Sequence, residues 1–240
     1  MRRFGMIGFD ADDTLWHNER LYVRAQSRLK TLLSAYLADD QMDERLYETE
    51  MRNLEHFGYG IKAFALSMIE TAIELTDGRI TARDIASIIG NAKEMMLADV
   101  ELLDHVDEAL SLLAADHALM LITKGDLLDQ ERKVARSGLA AHFRYIEIVS
   151  DKGRENYNTI LQRHAVVAAD FLMVGNSLRS DILPVLELGG TAVYVPQELT
   201  WVHESAGGPP AFQAGFHQLE HLGQLPALIA RLEEQRPASG

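Results

Sequence analysis

Cysteine is absent from the 240-residue chain, which excludes disulfides, thiolate zinc sites and a cysteine nucleophile. Positive charge is scarce. Lysine and arginine total 23 against 36 acids, giving a formal net charge of −13. Such an excess repels nucleic-acid phosphates and anionic lipid, so no nucleic-acid polymer and no membrane surface is expected as a partner. A small anionic substrate held by a metal and a few cations remains compatible with it. No uninterrupted apolar run is long enough to span a bilayer. The start, Met1-Arg2-Arg3 and then apolar residues up to Phe9, ends at Asp10 without a small-residue cleavage pattern. The expected compartment is the cytoplasm. What is present is ordinary globular composition, with 47% hydrophobic and 25% charged residues and no repeat or low-complexity segment.

Five short β-like runs stand out: Met6–Phe9, Ala118–Thr123, Tyr145–Val149, Phe171–Gly175 and Thr191–Val195. Runs such as LMLIT and FLMVG are apolar throughout, as in parallel strands covered on both faces. Helix-length segments lie between the later runs, at Gln130–Arg136, Tyr157–His164 and Asp181–Leu188. The alternation predicts an α/β fold: a Rossmann-like doubly wound parallel sheet of about five strands. Between Trp16 and Leu103 the rhythm breaks into amphipathic helical patterns at Leu21–Ala38, Asp43–Phe57, Ile61–Leu75 and Thr81–Ala98. This predicts an inserted α-helical cap domain. The expected division is a discontinuous core (1–15 and 104–232), a cap (16–103) and a flexible tail (233–240).

The sharpest local feature is Phe9-Asp10-Ala11-Asp12-Asp13-Thr14-Leu15. Its carboxylates follow the first strand directly, at the sheet edge where open α/β folds place ligands. Asp10 can serve as a nucleophile and Asp12 can manage a proton. An acidic turn is the bland alternative. A calcium loop is another, although Leu15 stands where an EF-hand loop needs glycine. Three further features fall at carboxyl ends of strands. Thr123-Lys124-Gly125 offers a hydroxyl and free N–H groups, and Ser150-Asp151-Lys152-Gly153 offers a lysine. The third is Gly175-Asn176-Ser177-Leu178-Arg179-Ser180-Asp181.

These motifs, in this order and over nearly the whole chain, resemble the haloacid dehalogenase superfamily, chiefly its phosphatase branch with a helical cap. Asp10, Asp12 and Thr14 match DxDxT, Thr123 the second-motif hydroxyl, Lys152 the third-motif lysine, and Asn176 with Asp181 the paired acids of the fourth. The first acid of that pair is asparagine here, which can ligate or orient water but supplies no charge. The resemblance implies a magnesium-dependent phosphatase. Asp10 would attack phosphorus, Asp12 would act as acid and then base, and Thr123 and Lys152 would bind non-bridging oxygens. Magnesium would be held by Asp10, the Asp12 carbonyl and Asn176 or Asp181. Thr14, Lys124, Gly125, Asn176, Ser177 and Arg179 are the expected substrate-binding residues. A small phosphorylated metabolite is the expected partner, because a cap of this size obstructs a large one, and the chain is expected as monomer or homodimer. A metal-independent 2-haloacid dehalogenase is the close alternative, towards which Asn176 leans. A non-catalytic phosphate-binding or phosphoacceptor protein is the alternative of another class.

Other candidates are less specific. His56–Lys62 could close over the site, or could simply cap a helix at Gly58. Arg20, Arg24 and Arg28 at helical spacing read as a solvated face. Thr200–Glu204 reads equally as a loop at the site mouth or as surface packing. His217 and His221 lack the partners of a metal motif.

Overall fold

Strands with apolar side chains on both faces must be covered on both faces, and that requirement sets the architecture. The structure is a computed structural model that describes residues 4–34, 36, 42–199, 201–204 and 214–235. In chain order, β1 (Met6–Phe9) is followed by four helices: α1 (Glu19–Leu33), α2 (Met42–Phe57), α3 (Ile61–Leu75) and α4 (Ala82–Leu97). Then come α5 (Val106–Ala114), β2 (Leu119–Lys124), α6 (Leu127–Ser137), β3 (Tyr145–Val149) and α7 (Arg154–Arg163). The chain continues through β4 (Phe171–Gly175), α8 (Leu183–Glu187), β5 (Thr191–Tyr194), β6 (Phe216–Gln218) and α9 (Leu225–Glu234). The strands form one sheet in the order β3-β2-β1-β4-β5-β6, every neighbouring pair parallel.

Period-2 alternation sends Ile7, Phe9, Leu119, Leu121, Leu172 and Val174 to one face, where α5 and α9 cover them. Met6, Met120, Ile122, Phe171 and Met173 go to the other, against α7 and α8. Each such fully buried side chain contributes roughly 1.5–3 kcal/mol. The four helices after β1 have an apolar centre of their own, built on Leu29, Leu46, Phe64, Met68 and Ile88. Their entrance and exit run side by side. Trp16 bridges to both Asp12 and Leu102, and the His17 and Leu103 N–H groups donate to the Glu101 and Leu15 carbonyls. The insertion therefore joins the core through a two-stranded seam beside the carboxylate motif.

The doubly wound parallel sheet with a helical insertion agrees with the expectation, and differences are local. Among the described residues the sheet has six strands. β6 is three residues, Phe-His-Gln, too short and polar to show an apolar run. The helix expected over Asp181–Leu188 begins as a wide turn at Leu178–Ile182 and becomes α-helical only at Leu183–Glu187. Pro184 suits that late start, because it lacks the N–H that a helix interior needs. α9 reaches Glu234, two residues into the stretch expected as tail, and 236–240 lie outside the described residues. So does most of the end of the predicted Leu21–Ala38 helix, since α1 stops at Leu33. Among the described residues no helix is long and apolar enough to cross a membrane.

Candidate active site

The ends of β1, β2 and β4 and the faces of α1, α2 and α6 enclose a cavity of about 160 Å³ between core and cap. Asp10 is the first residue beyond β1, its N–H bonded to the Val174 carbonyl of β4 at 2.9 Å. That bond fixes the carboxylate at the sheet edge. Thr14 donates from its hydroxyl to Asp10 Oδ2 at 2.9 Å and lies 3.3 Å from Asn176 Oδ1. Lys152 donates to Asp10 Oδ1 and, at 2.8 Å, to Asp181 Oδ1. The Ser177 N–H holds the other Asp181 oxygen at 3.0 Å. A Cβ on Gly175 would fall 2.2 Å from Asp181 Oδ2, so only glycine lets this carboxylate close against the end of β4.

Asp10, Asp181 and Lys152 are all buried. Burial pushes the Asp10 carboxyl above the ordinary carboxylate range; the Asp181 charge adds to this and Lys152 opposes it. Burial would lower Lys152, but the Asp10 and Asp181 charges outweigh that and hold its ammonium above its usual value. One cation thus faces two buried carboxylates, with an amide oxygen alongside.

Asp12 belongs to a different set of partners. Its Oδ1 accepts from Trp16 Nε1 at 2.7 Å, its Oδ2 accepts from Gln130 Nε2 at 3.1 Å, and Lys133 Nζ lies 3.0 Å from both oxygens. Asp13 adopts a left-handed conformation, φ 60°, that turns its carboxylate onto the Asn18 and Glu19 N–H groups at the start of α1. Burial nevertheless raises Asp13 to about 7.

The cap closes over Lys124. Its ammonium contacts Glu204, lies 2.8 Å from Ser180 Oγ and sits 3.9 Å from the centre of the Tyr59 ring. Tyr59 also meets Trp201 edge to face, and Lys62 pairs with Asp126 at 2.8 Å. Glu204 additionally accepts from the Ser177 and Ser180 hydroxyls. Although burial opposes it, Lys124 and these bonds draw Glu204 down to about 2. Both readings of His56–Lys62 hold at different residues: Gly58, φ 68°, follows the end of α2, while Tyr59 and Lys62 reach the core.

Asp10, Asp12, Thr123, Lys124, Gly125, Lys152, Asn176, Ser177 and Asp181 all line this cavity. Two expected substrate-binding residues do not. Thr14 is completely buried behind Asp10, its hydroxyl committed to the Asp10 and Asn176 oxygens. Arg179 is exposed on the wide turn and faces His203 at 3.2 Å, because Ser177, Ser180 and Asp181 are the residues of that turn directed inward. Arg20 and Arg28 pair with exposed Glu101 and Glu94, as a solvated face requires. Lys133, Gln130, Glu19 and Glu50 line the cavity outside any motif of the sequence, and Glu204 lines it from the loop that reads equally as site mouth or surface. The spacing of Asp126, Asp129, Gln130 and Lys133 was the available signal, a polar stripe on a helix that should bury one face.

The model of the haloacid dehalogenase-like hydrolases matches residues 5–189, most of the chain and every motif above. The chain belongs to that family. A family hydrolase from Xanthomonas campestris is similar at 40% identity over 98% of both chains, with a TM-score of 0.88. Two more distant structures share the fold. A 2-haloacid dehalogenase from Pseudomonas syringae pv. tomato DC3000 is 23% identical over 95% of this chain and 99% of its own, TM-score 0.64. A predicted phosphoglycolate phosphatase from Haemophilus somnus 129PT is 14% identical over 95% and 99%, TM-score 0.64. No curated protein sequence matches the chain. Membership makes it a haloacid dehalogenase-like hydrolase, and both chemistries occur on this fold.

Proposed function

We propose that this hydrolase is a magnesium-dependent phosphatase acting on a small phosphorylated metabolite through an aspartyl phosphate on Asp10. The charge of the cavity carries the reading. Among the described residues its walls hold nine carboxylates (Asp10, Asp12, Asp13, Glu19, Glu50, Asp126, Asp129, Asp181 and Glu204) against three lysines, with no arginine or histidine. Lys124, Lys133 and Lys152 are each already bonded to an acid. A 2-haloacid brings its own carboxylate and a reaction that calls for no metal, so nothing in these walls offsets its charge. A phosphate ester is also anionic, but its chemistry brings a divalent cation.

The donors suit that cation. Asp10, Asp181 and Asn176 offer hard oxygen atoms at one sheet edge, and one lysine leaves their negative charge in excess. Among the described residues no three acids or histidines are grouped so as to hold a metal ion, so the amide oxygen, waters and substrate oxygens would have to complete the shell. When bound, magnesium supplies charge neutralisation between the nucleophile and the phosphoryl oxygens.

The remaining chemistry belongs to side chains. An Asp10 oxygen attacks phosphorus as the bond to the leaving oxygen breaks, and Asp12 gives that oxygen a proton. Asp12 then takes a proton from the water that attacks phosphorus. The bond to Asp10 breaks, releasing phosphate. Lys152 and Thr123 stabilise the non-bridging oxygens. The alcohol portion faces Tyr22, Asn53, Tyr59 and Phe64 of the cap.

The test is a panel of phosphomonoesters assayed with magnesium and with EDTA. Turnover is expected with magnesium only, and Asp10→Asn should lower kcat by at least about 10⁴-fold while leaving the thermal transition in place. Turnover of 2-haloacids without metal, the reading towards which Asn176 leans, would overturn the proposal.

A further inference from the structure

Helix α6 presents a polar face to the cavity through Asp126, Asp129, Gln130 and Lys133, spaced three, four and seven residues from the first. Burying this stripe is costly unless each group has a partner, and the partners are specific. Lys133 is buried, with 8% of its side chain exposed. Its ammonium spans both Asp12 oxygens at 3.0 Å, Asn18 Oδ1 at 2.9 Å and Asp129 at 3.5 Å. Burial alone would lower Lys133, yet the Asp12 and Asp129 charges hold its ammonium above its usual value. Gln130 Nε2 lies 3.1 Å from Asp12 and 2.6 Å from Thr123 Oγ1.

Lys133 holds both oxygens of the carboxylate from one cation, and the Trp16 indole on Oδ1 with the Gln130 amide on Oδ2 fixes its rotation. The same ammonium binds the residue that precedes α1, so Asp12 and the cap entrance share one anchor. We propose that Lys133 is a positioning residue for Asp12, orienting it towards the leaving oxygen when the cap is seated. The inference rests on the phosphatase reading. It assigns Lys133 no contact with phosphorus or its oxygens, a role that Lys152 fills.

Proton donation matters most for a poor leaving group, so the test compares an alkyl phosphate with 4-nitrophenyl phosphate. It uses kcat/KM, which reports the step that breaks the leaving-group bond. For Lys133→Met, kcat/KM on the alkyl ester should fall about 100-fold, against less than about fivefold on the aryl ester. Lys133→Gln, which keeps one donor for Asp12, should recover part of the alkyl activity and decides the matter if the methionine variant does not fold. Asn18→Ala should show the same selectivity at roughly fivefold. A thermal melt of each variant identifies those that are folded. Equal losses on both esters would mean phosphate binding or a structural role, and unchanged alkyl activity would mean no role; either overturns the inference. If the unmodified protein turns over no phosphomonoester, the phosphatase reading itself has failed and the inference falls with it.

Discussion

The two walls of the cavity treat their carboxylates in opposite ways. On the core wall, acids are matched with lysines: Asp10 and Asp181 with Lys152, Asp12 and Asp129 with Lys133, Glu204 with Lys124. On the cap wall, Glu19 and Glu50 line the same space with no cation bonded to either among the described residues. Burial raises both to about 7; the Asp13, Asp12 and Glu204 charges add to it at Glu19, the Glu19 charge adds to it at Glu50, and a Trp201 hydrogen bond only moderates Glu50. The core wall therefore ties its acids to cations before anything binds, although five acids share three lysines and Asp13 has only N–H partners. The cap wall holds unbalanced charge whose cost depends on pH and on what enters the cavity.

The comparison breaks most severely at Lys152. Lys152→Met leaves two buried carboxylates facing each other, and the phosphoryl oxygens lose a partner. A loss of about 10³-fold in kcat/KM is expected, with destabilisation of roughly 3–5 kcal/mol in urea titrations. Millimolar magnesium should restore part of that stability, since the donors remain. A variant equally stable with and without magnesium would count against those donors holding the ion.

Glu204 tests the core wall without touching a reacting group. Glu204→Gln strands the Lys124 ammonium and should cost about 1–3 kcal/mol at pH 7. Because the folded value lies near 2, below the ordinary 4.5, the carboxylate stabilises the fold above 4.5 and loses that contribution as the pH falls towards 2. The gap between variant and parent should therefore narrow at pH 3; a constant gap would indicate lost packing instead of lost charge.

On the cap wall the sign reverses. Glu50 is held near 7 against an ordinary 4.5, so its contribution weakens stability as the pH rises from 4.5 through 7. Glu50→Gln should melt higher than the parent at pH 8, by on the order of 2 °C, and coincide with it at pH 4. Melting curves in the absence of metal read this smallest effect. A variant less stable at pH 8 would show that the Trp201 hydrogen bond outweighs the burial of charge.

The sequence disclosed the two walls unequally, for physical reasons. Strands buried on both faces spell out continuous apolar runs, so β1, β2 and β4 and the residues at their ends were visible. The helical spacing over Ile61–Leu75 matches α3, because Lys62, Glu70 and Glu74 fall between the apolar positions and leave their period intact. β6 escaped because a three-residue edge strand carries no pattern. Lys133 and Gln130 escaped for a subtler reason. They lie more than a hundred residues from Asp12, and a polar stripe along a helix looks the same whether it meets water or a carboxylate. The loop holding Trp201 and Glu204 fits site mouth and surface equally well in sequence, and only the fold distinguishes the two. Arg179 lies outside the cavity because the wide turn rotates its side chain differently from the regular helix expected there.

Gly60 closes the seam between cap and core. At φ 114°, a conformation few other residues adopt, a Cβ there would sit 3.1 Å from the Asp126 backbone nitrogen. Cap and core thus meet here main chain against main chain, with no flexible side chain to bend out of the way. A methyl group at this one position would act as a wedge, straining the Gly60 backbone and pushing against the start of α6. The rim of the chamber thus carries a steric constraint of its own, separate from the groups that handle phosphorus or protons.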